Sequence, residues 1–255
     1  MSWKQVEIPW SEFDTVIIRS CWDYPSQLSE FLEVLDQINQ LSRLANPLKL
    51  VHWNLSKTYL RDLESQGIGV VPTLWADDLD ETSLMACLNR LSTVGMVIKP
   101  VVGANGVDTF HISHSTDSAK LNEVVRLFRN RPHMVQPFMN GVISEGEFSL
   151  FYFNGKYSHC ILKKPAESEF RSQEERGATI KAASPEARLM LRGLQALESI
   201  SPVPLYARID FVRDDAGEFR VMEMELIEPS LYLRMHPEVP VRFAQAIDDW
   251  SHIGS

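Results

Sequence analysis

Three carboxylates near the C-terminus, Asp210, Glu223 and Glu225, have the spacing with which a β-hairpin gathers acids on one surface. Apolar and polar residues alternate through Leu205–Val212 and again through Arg220–Ile227, and Asp214-Asp215-Ala216-Gly217-Glu218 separates the two runs. That pattern predicts two antiparallel strands joined by a turn. Strand side chains alternate faces, so Arg208 and Asp210 share one side while Ala207, Ile209 and Phe211 share the other. Glu223 and Glu225 share a side opposed by Met222, Met224 and Leu226. If both apolar faces enter one core, the three carboxylates converge. Like charges placed opposite each other destabilise a strand pair, so the cluster calls for a cation, and hard oxygen donors suit Mg²⁺. A solvated acidic face on a half-exposed sheet has the same pattern, and the hairpin alone leaves both readings open.

Two lysines could serve an anionic ligand. Lys57 is expected in the first turn of a helix over Ser56–Gln66, where a cation opposes the helix dipole unless an anion lies nearby. Most lysines so placed simply face water. Lys99 interrupts the apolar strand Met96–Val102 and is followed by a turn containing Gly103 and Gly106. Glycine lets backbone N–H groups approach phosphate oxygens, and lysine adds a point charge. The stretch lacks the GxxxxGK[ST] pattern and a following helix, which excludes a P-loop. Arg19-Ser20-Cys21-Trp22-Asp23-Tyr24 ends the strand Asp14–Arg19, a place where open α/β sheets collect ligands. It reads equally as a helix-entry loop with Trp22 packed on the core.

These groups must be held by a protein of 255 residues, 44% hydrophobic, with a net charge of −9. That length supports one large domain or two modest ones. The acidic balance argues against nucleic-acid or anionic-membrane partners. Cys21, Cys87 and Cys160 are scattered, odd in number and without CxxC spacing, which fits reduced thiols and speaks against zinc. No apolar run reaches membrane-span length, and Met1–Gln5 lack a signal-peptide core, so the expected location is cytoplasmic.

In chain order, a weak strand is expected at Val6–Ile8, then the strand Asp14–Arg19, buried on both faces in a parallel sheet. A helix follows that carries Leu28, Phe31, Leu32, Leu35, Ile38 and Leu41. Asn46-Pro47 breaks the chain before the Lys57 helix. A strand is expected at Val70–Thr73, a helix from Asp78 or Asp80 to Leu91, a helix at Lys120–Arg129 and a strand at Met134–Met139. Asn154-Gly155 marks a hairpin between Gly146–Phe153 and Lys156–Lys163. Pro165–Thr179 is a long polar connection, and loops of that length are functional or disordered. Ser184-Pro185 starts a helix with Ser184 as N-cap, and Met190, Leu194 and Leu197 form its buried face. A closing helix spans Pro240–Trp250 with Val241, Phe243, Ala244 and Ile247 inward.

Taken in order, these motifs resemble the ATP-grasp family, in particular its glutathione-synthetase-like branch that includes the cyclising ligase of D-cycloserine biosynthesis. The likeness is carried by Arg19–Tyr24, Trp53-Asn54 with Lys57, Val97-Ile98-Lys99-Pro100, Gln136-Pro137-Phe138, Glu145-Gly146-Glu147 with Ser149, and Ser158-His159 with Lys163. It continues through Phe170-Arg171, Tyr206-Ala207-Arg208 with Asp210, and Glu223-x-Glu225 with Glu228-Pro229, and so covers nearly the whole chain.

The resemblance implies an α+β ATP-grasp fold, two α+β subdomains clamping the nucleotide, with a short α/β N-terminal lobe. The expected divisions are residues 1–53 for the lobe, 54–137 for the small subdomain with its linking helix, and 138–255 for the large subdomain with the metal site. Relatives carry a further strand and helix before the first of these, so the lobe is expected to be incomplete.

The resemblance implies that Lys57, Lys99, Gly103 and Gly106 contact phosphates, that Gln136, Pro137 and Phe138 flank adenine, and that Glu147 meets the ribose. By the same likeness Asp210, Glu223 and Glu225 hold Mg²⁺, and Lys163, Arg171 and Arg208 serve the phosphate or an acyl-phosphate intermediate. Glu223-x-Glu225 stands where many relatives have Glu-x-Asn, and Glu228 falls out of phase with the metal side unless the strand bulges. Arg19, Trp22, Asp23 and Tyr24 line the substrate side. The implied activity is a Mg-ATP-dependent ligase joining a carboxylate to an amine or thiol of a small amino-acid-like substrate, with a homo-oligomer possible. The alternative is a non-catalytic or regulatory ATP-binding protein.

Overall fold

Eleven strands in three sheets carry the described part of the computed structural model, residues 1–252 apart from 92, 94 and 168. The first sheet pairs β1 (Thr15–Ile17) with β2 (Arg43–Ala45) in parallel, and α1 (Leu28–Leu41) crosses between them. Phe31, Leu35 and Ile38 of α1 pack on Ile18, Tyr24 and Leu44. The expected parallel strand is present but only half-buried. Val6–Ile8 forms no strand, and Val6 is exposed.

Two helices follow where one was expected, α2 (Leu48–Leu55) and α3 (Tyr59–Ser65). Lys57 therefore sits in the joint between them, its N–H donating to Val101 O at 2.7 Å. Next comes β3 at Leu74–Ala76, later than the expected Val70–Thr73. Val70 instead makes a single bridge to Val221. Then follow α4 (Glu81–Leu91), β4 (Gly95–Pro100), β5 (Phe110–Ser113), α5 (Ser118–Phe128) and β6 (His133–Pro137), which build a four-stranded sheet of order β3-β6-β4-β5. Met96, Ile98, Ile112 and Val135 face α4 and α5. Val97, Lys99 and Gln136, one position out of phase, are left for the opposite face.

A short α6 (Gly141–Ser144) leads into β7 (Glu147–Phe153), β8 (Lys156–Lys164) and β9 (Thr179–Ala183). After α7 (Ala187–Glu198) come β10 (Tyr206–Arg213), β11 (Phe219–Glu225) and α8 (Val239–His252), and the second sheet runs β11-β10-β7-β8-β9. The polar connection after β8 gives way to β9, whose exposed, alternating residues carry a weak strand signal. The cap of α7 is Glu186 rather than Ser184, and its buried face is Leu189, Gly193, Ala196 and Leu197. Leu194, expected inside, is 45% exposed. Gly193 is what allows that approach, since a Cβ there would lie 2.1 Å from Tyr152 Oη. In α8 the inward residues are Val239, Phe243, Ala246 and Trp250, while Val241 and Ala244 point outward.

One face of this sheet changes character along its strands. Phe151, Phe153, Ile161 and Tyr206 are covered by Val239, Phe243, Ala246 and Trp250 of α8. Further along the same face stand Glu147, Ser149, Lys163, Arg208 and Asp210. The apolar half anchors the strands, and the polar half is left to face the four-stranded sheet across a cleft.

Beyond the single bridge from Val70 to Val221, the outer edge of β11 is closed by side chains. Asn54 donates to Met224 O (2.9 Å) and accepts from Leu226 N–H (2.8 Å), and Tyr59 Oη accepts from Met224 N–H (2.8 Å). An unpaired edge is thereby removed. Asn46 bonds Tyr206 O, Leu226 O and Leu205 N–H. The hydroxyl of Tyr206, fully buried, lies 2.9 Å from both Ile18 O and Ile227 O and 3.3 Å from Ala45 O, which ties the first sheet to the end of β11. Tyr206→Phe leaves these carbonyls short of a donor and is expected to cost about 1–3 kcal/mol. In thermal unfolding that is a Tm lower by several degrees, roughly 2–4 °C per kcal/mol at this chain length.

Candidate active site

The two large sheets bring most of the expected residues to one cleft. Lys57, Lys99, Gly103, Gly106, Gln136, Pro137, Phe138, Glu147, Lys163, Arg171, Arg208, Asp210, Glu223 and Glu225 all line it, as do Trp22 and Tyr24. Arg19 and Asp23 are not among its lining residues, which corrects the expected substrate side. Asp23 is exposed and paired with Lys4 at 2.6 Å, with Trp3 Nε1 donating to it at 2.9 Å. Arg19 donates to Pro229 O at 2.8 Å and lies over the Tyr206 ring, so it buttresses the chain behind the cleft.

The hairpin puts Asp210 opposite Glu223 and Arg208 opposite Glu225. The register shifts between Asp210 and Phe211, so Met222 is an extra residue on β11. The bulge turns Met222 toward the cleft instead of the apolar face expected for it. The carboxylates converge, yet they do not stand alone. Asp210 is 2% exposed, accepts from Ser149 Oγ at 2.5 Å, and is paired with Arg208 (2.9 Å) and Lys163 (3.1 Å). Arg208 also pairs with Glu225, Lys163 with Glu147, and Lys57 with Glu223 at 2.6 Å. Lys57 Nζ additionally donates to Gly103 O at 3.0 Å, joining the glycine turn to the acidic hairpin. Glu147, expected at the ribose, thus has its charge balanced by Lys163 within the sheet.

Burial works against each of these charges, and the partners decide the outcome. Burial would raise the Asp210 carboxyl, but Arg208 and Lys163 outweigh it and hold it below the ordinary carboxylate range. Burial opposes the Lys57 ammonium too, and Glu223 overcomes it, raising the lysine. Glu225 is pushed up to about 7 by burial, with Glu223 and Asp210 adding to it and Arg208 opposing. Glu228 reaches about 8 through burial and the nearby Glu225. Lys99 is the opposite case: burial lowers it, and it makes no hydrogen bond or ion pair among the described residues.

The donor chemistry suits a hard divalent cation, since the floor of the cleft offers carboxylate oxygens and no thiol or imidazole. Their oxygens are engaged by Arg208, Lys163 and Lys57, and no ready group of three metal-holding side chains exists among the described residues. The loop after β8 adds cleft residues that sequence reasoning did not single out. Ser172 Oγ and Gln173 Oε1 are buried without a partner among the described residues, and Gly106, in left-handed backbone at φ +61°, lies against Gln173 and Arg171. Arg171 itself is clamped on Glu169 at 2.8 Å and donates to Gly106 O. Only the length and polarity of 165–179 hinted at this role. Ser230 and Tyr232 also line the cleft, after β11 has ended, where no periodic pattern marks them.

Comparisons agree with this geometry. A family model described as the D-cycloserine synthetase DcsG N-terminal domain matches residues 1–46, and one described as the prokaryotic glutathione synthetase ATP-grasp domain matches residues 72–201. The chain is 32% identical to the cycloserine biosynthesis protein DcsG of Streptomyces lavendulae, over 96% of this chain and 86% of that protein. Its structure is similar to the crystal structure of D-cycloserine synthetase DcsG, with a TM-score of 0.86 and 30% identity, covering 98% of this chain and 88% of that one. The fold extends to a D-alanine–D-alanine ligase from Bacillus anthracis complexed with ATP, at a TM-score of 0.64 and 16% identity over 93% and 77% of the two chains. No helix among the described residues is long and apolar enough to cross a membrane. With its α+β sheets, its cleft and a relative of this identity along nearly its whole length, the chain belongs to the ATP-grasp family of ATP-dependent ligases.

Proposed function

We propose that the chain uses Mg-ATP to join a carboxylate to an amine, or a thiol, of a small amino-acid-like molecule through an acyl phosphate. The observation that carries this reading is the meeting of Lys57, Lys99 and the Gly103–Gly106 turn with Asp210, Glu223 and Glu225 in one cleft. Phosphoryl transfer depends on positioning and on neutralising charge at the triphosphate. Lys99 supplies a cation unpaired among the described residues, and the glycine turn supplies backbone N–H groups beside it. Gln136, Pro137 and Phe138 border the cleft where β6 ends and hold the base.

Lys57 and Arg208 exchange partners in this scheme, leaving Glu223 and Glu225 for the arriving phosphate oxygens. The released carboxylates, with Asp210, would hold the metal. Bound there, Mg²⁺ supplies Lewis-acid polarisation of phosphoryl oxygens. Lys163 and Arg208 stay on the large sheet to stabilise the acyl phosphate until the amine or thiol attacks its carbonyl carbon and phosphate leaves. Arg171, released from Glu169, covers the phosphates from the loop side.

The test is phosphate release from ATP and Mg²⁺ in the presence of amino acids and small carboxylates, with hydroxylamine added to trap an acylated intermediate. Acceptor-dependent release with hydroxamate formation is expected. Binding of ATP with no release from any carboxylate supports a non-catalytic protein instead.

A further inference from the structure

Two ionisable groups lining the cleft have no hydrogen-bond or ion-pair partner among the described residues, and their ionised forms have opposite signs. Lys99 is one and Glu228 the other. Each lies within electrostatic reach of the Lys57–Glu223 ion pair. Lys99 stands beside the glycine turn, which accounts for a phosphate. Nothing described so far accounts for Glu228.

Glu228 is 8% exposed and lines the cleft, yet its carboxylate accepts no hydrogen bond and enters no ion pair among the described residues. Its position is nevertheless held from behind by the N-terminal lobe and β10. Trp22 Nε1 donates to Glu228 O at 3.0 Å, Arg19 Nη1 to Pro229 O at 2.8 Å, and Tyr206 Oη lies 2.9 Å from Ile227 O. Three donors on three successive carbonyls fix the backbone and leave the side chain turned to the cleft. Near it stands Tyr24, whose hydroxyl makes no hydrogen bond among the described residues, and Ser230 lines the same cleft two positions on.

A buried carboxylate without a partner is costly, and here Glu225 and Glu223 add like charge. The position therefore favours a cation brought by a ligand. An ammonium group, with three donors, fits a carboxylate that shares its end of the cleft with the Tyr24 hydroxyl and the Trp22 ring. We propose that Glu228, with Tyr24 and Ser230, is the subsite for the ammonium group of the substrate, and that it selects amine-bearing acids over their hydroxy counterparts. This rests on the ligase reading above for the location of the substrate beside the phosphates.

The experiment measures binding and turnover in parallel on the full chain with Mg-ADP or Mg-ATP. The probes are both enantiomers of alanine, serine and 2,3-diaminopropionate, each compared with lactate or glycerate of the same hand. At least one amino acid is expected to bind at least about tenfold more tightly than its hydroxy counterpart, the scale of a charge-assisted hydrogen bond. Glu228→Gln is expected to erase that preference, with Mg-ADP affinity and the Tm of the ligand-free protein retained. The proposal is overturned if wild type binds no member of the panel or binds both classes alike. It is equally overturned if the variant keeps the preference, or loses Mg-ADP affinity in place of it, which would make Glu228 a metal or structural residue. Amine preference without turnover retains this subsite and removes the ligase reading, whereas turnover without preference does the reverse.

Discussion

Lys99→Met is expected to leave the ligand-free protein as stable as wild type, or more so, while weakening ATP binding by about a hundredfold. Both effects come from one cause. Burial disfavours the Lys99 ammonium and no carboxylate among the described residues bonds to it, so the folded protein carries its charge at a cost. Methionine removes that charge and keeps much of the apolar stem. The same change takes away the cation that faces the incoming phosphates, and a charged hydrogen bond is worth about 1.5–3 kcal/mol, or roughly ten- to a hundredfold or more in affinity. Lys57→Met should behave differently, because it strands Glu223, to which Lys57 is paired at 2.6 Å. Thermal melts with and without nucleotide separate the two. A Lys99 variant that is destabilised without ligand, yet binds ATP normally, contradicts the assignment.

Asp210→Asn is expected to lower stability by about 3–5 kcal/mol, the usual effect of removing one member of a buried ion pair, and to reduce acceptor-dependent phosphate release at least a hundredfold. The carboxylate is the common partner of Arg208, Lys163 and Ser149. Its loss leaves two buried cations to Glu147 and Glu225 alone, and removes one carboxylate oxygen from the proposed metal donors. Urea unfolding followed by circular dichroism gives the first effect, and assay well below the variant's Tm isolates the second. Adding Lys163→Met should restore part of the stability through coupling between the pair without restoring turnover. Turnover near the wild-type rate in Asp210→Asn would remove the aspartate from the metal side.

How much of this was legible beforehand depends on what fixes each residue. Strand alternation determines which side of the sheet Asp210, Glu223 and Glu225 occupy, because a one-residue slip would expose Ile209, Phe211 and Met224. The NG turn likewise set the β7–β8 hairpin, and the order of lysines, glycine turn and acidic hairpin carried the resemblance to the family. Periodicity says nothing of where a strand bulges, so Met222 was assigned to the wrong face. Nor does it reveal a side chain that stands in for a strand, as Asn54 does at the edge of β11, and α2, which carries Asn54, is not expected ahead of the Ser56–Gln66 helix. Loop residues belong to no pattern at all. Asp23 could not be told from Trp22 and Tyr24 within the same short loop, although an ion pair with Lys4 turns it outward. Ion pairing is likewise invisible in a linear chain: three carboxylates on one face suggested an open metal site, and the fold supplies Arg208, Lys163 and Lys57 to cover it.

The central claim is that this cleft exchanges its internal ion pairs for Mg-ATP. Calorimetric titration of the wild-type chain tests it most directly, with Mg²⁺ alone, ATP alone and the two together. Mg²⁺ alone is expected to give no binding heat at millimolar concentration, since its oxygen donors are engaged. ATP with Mg²⁺ is expected to bind tightly and ATP alone more weakly, with all binding lost or strongly weakened in Lys99→Met. Absence of nucleotide binding, or Mg²⁺ binding that is equally tight without nucleotide, would contradict the account.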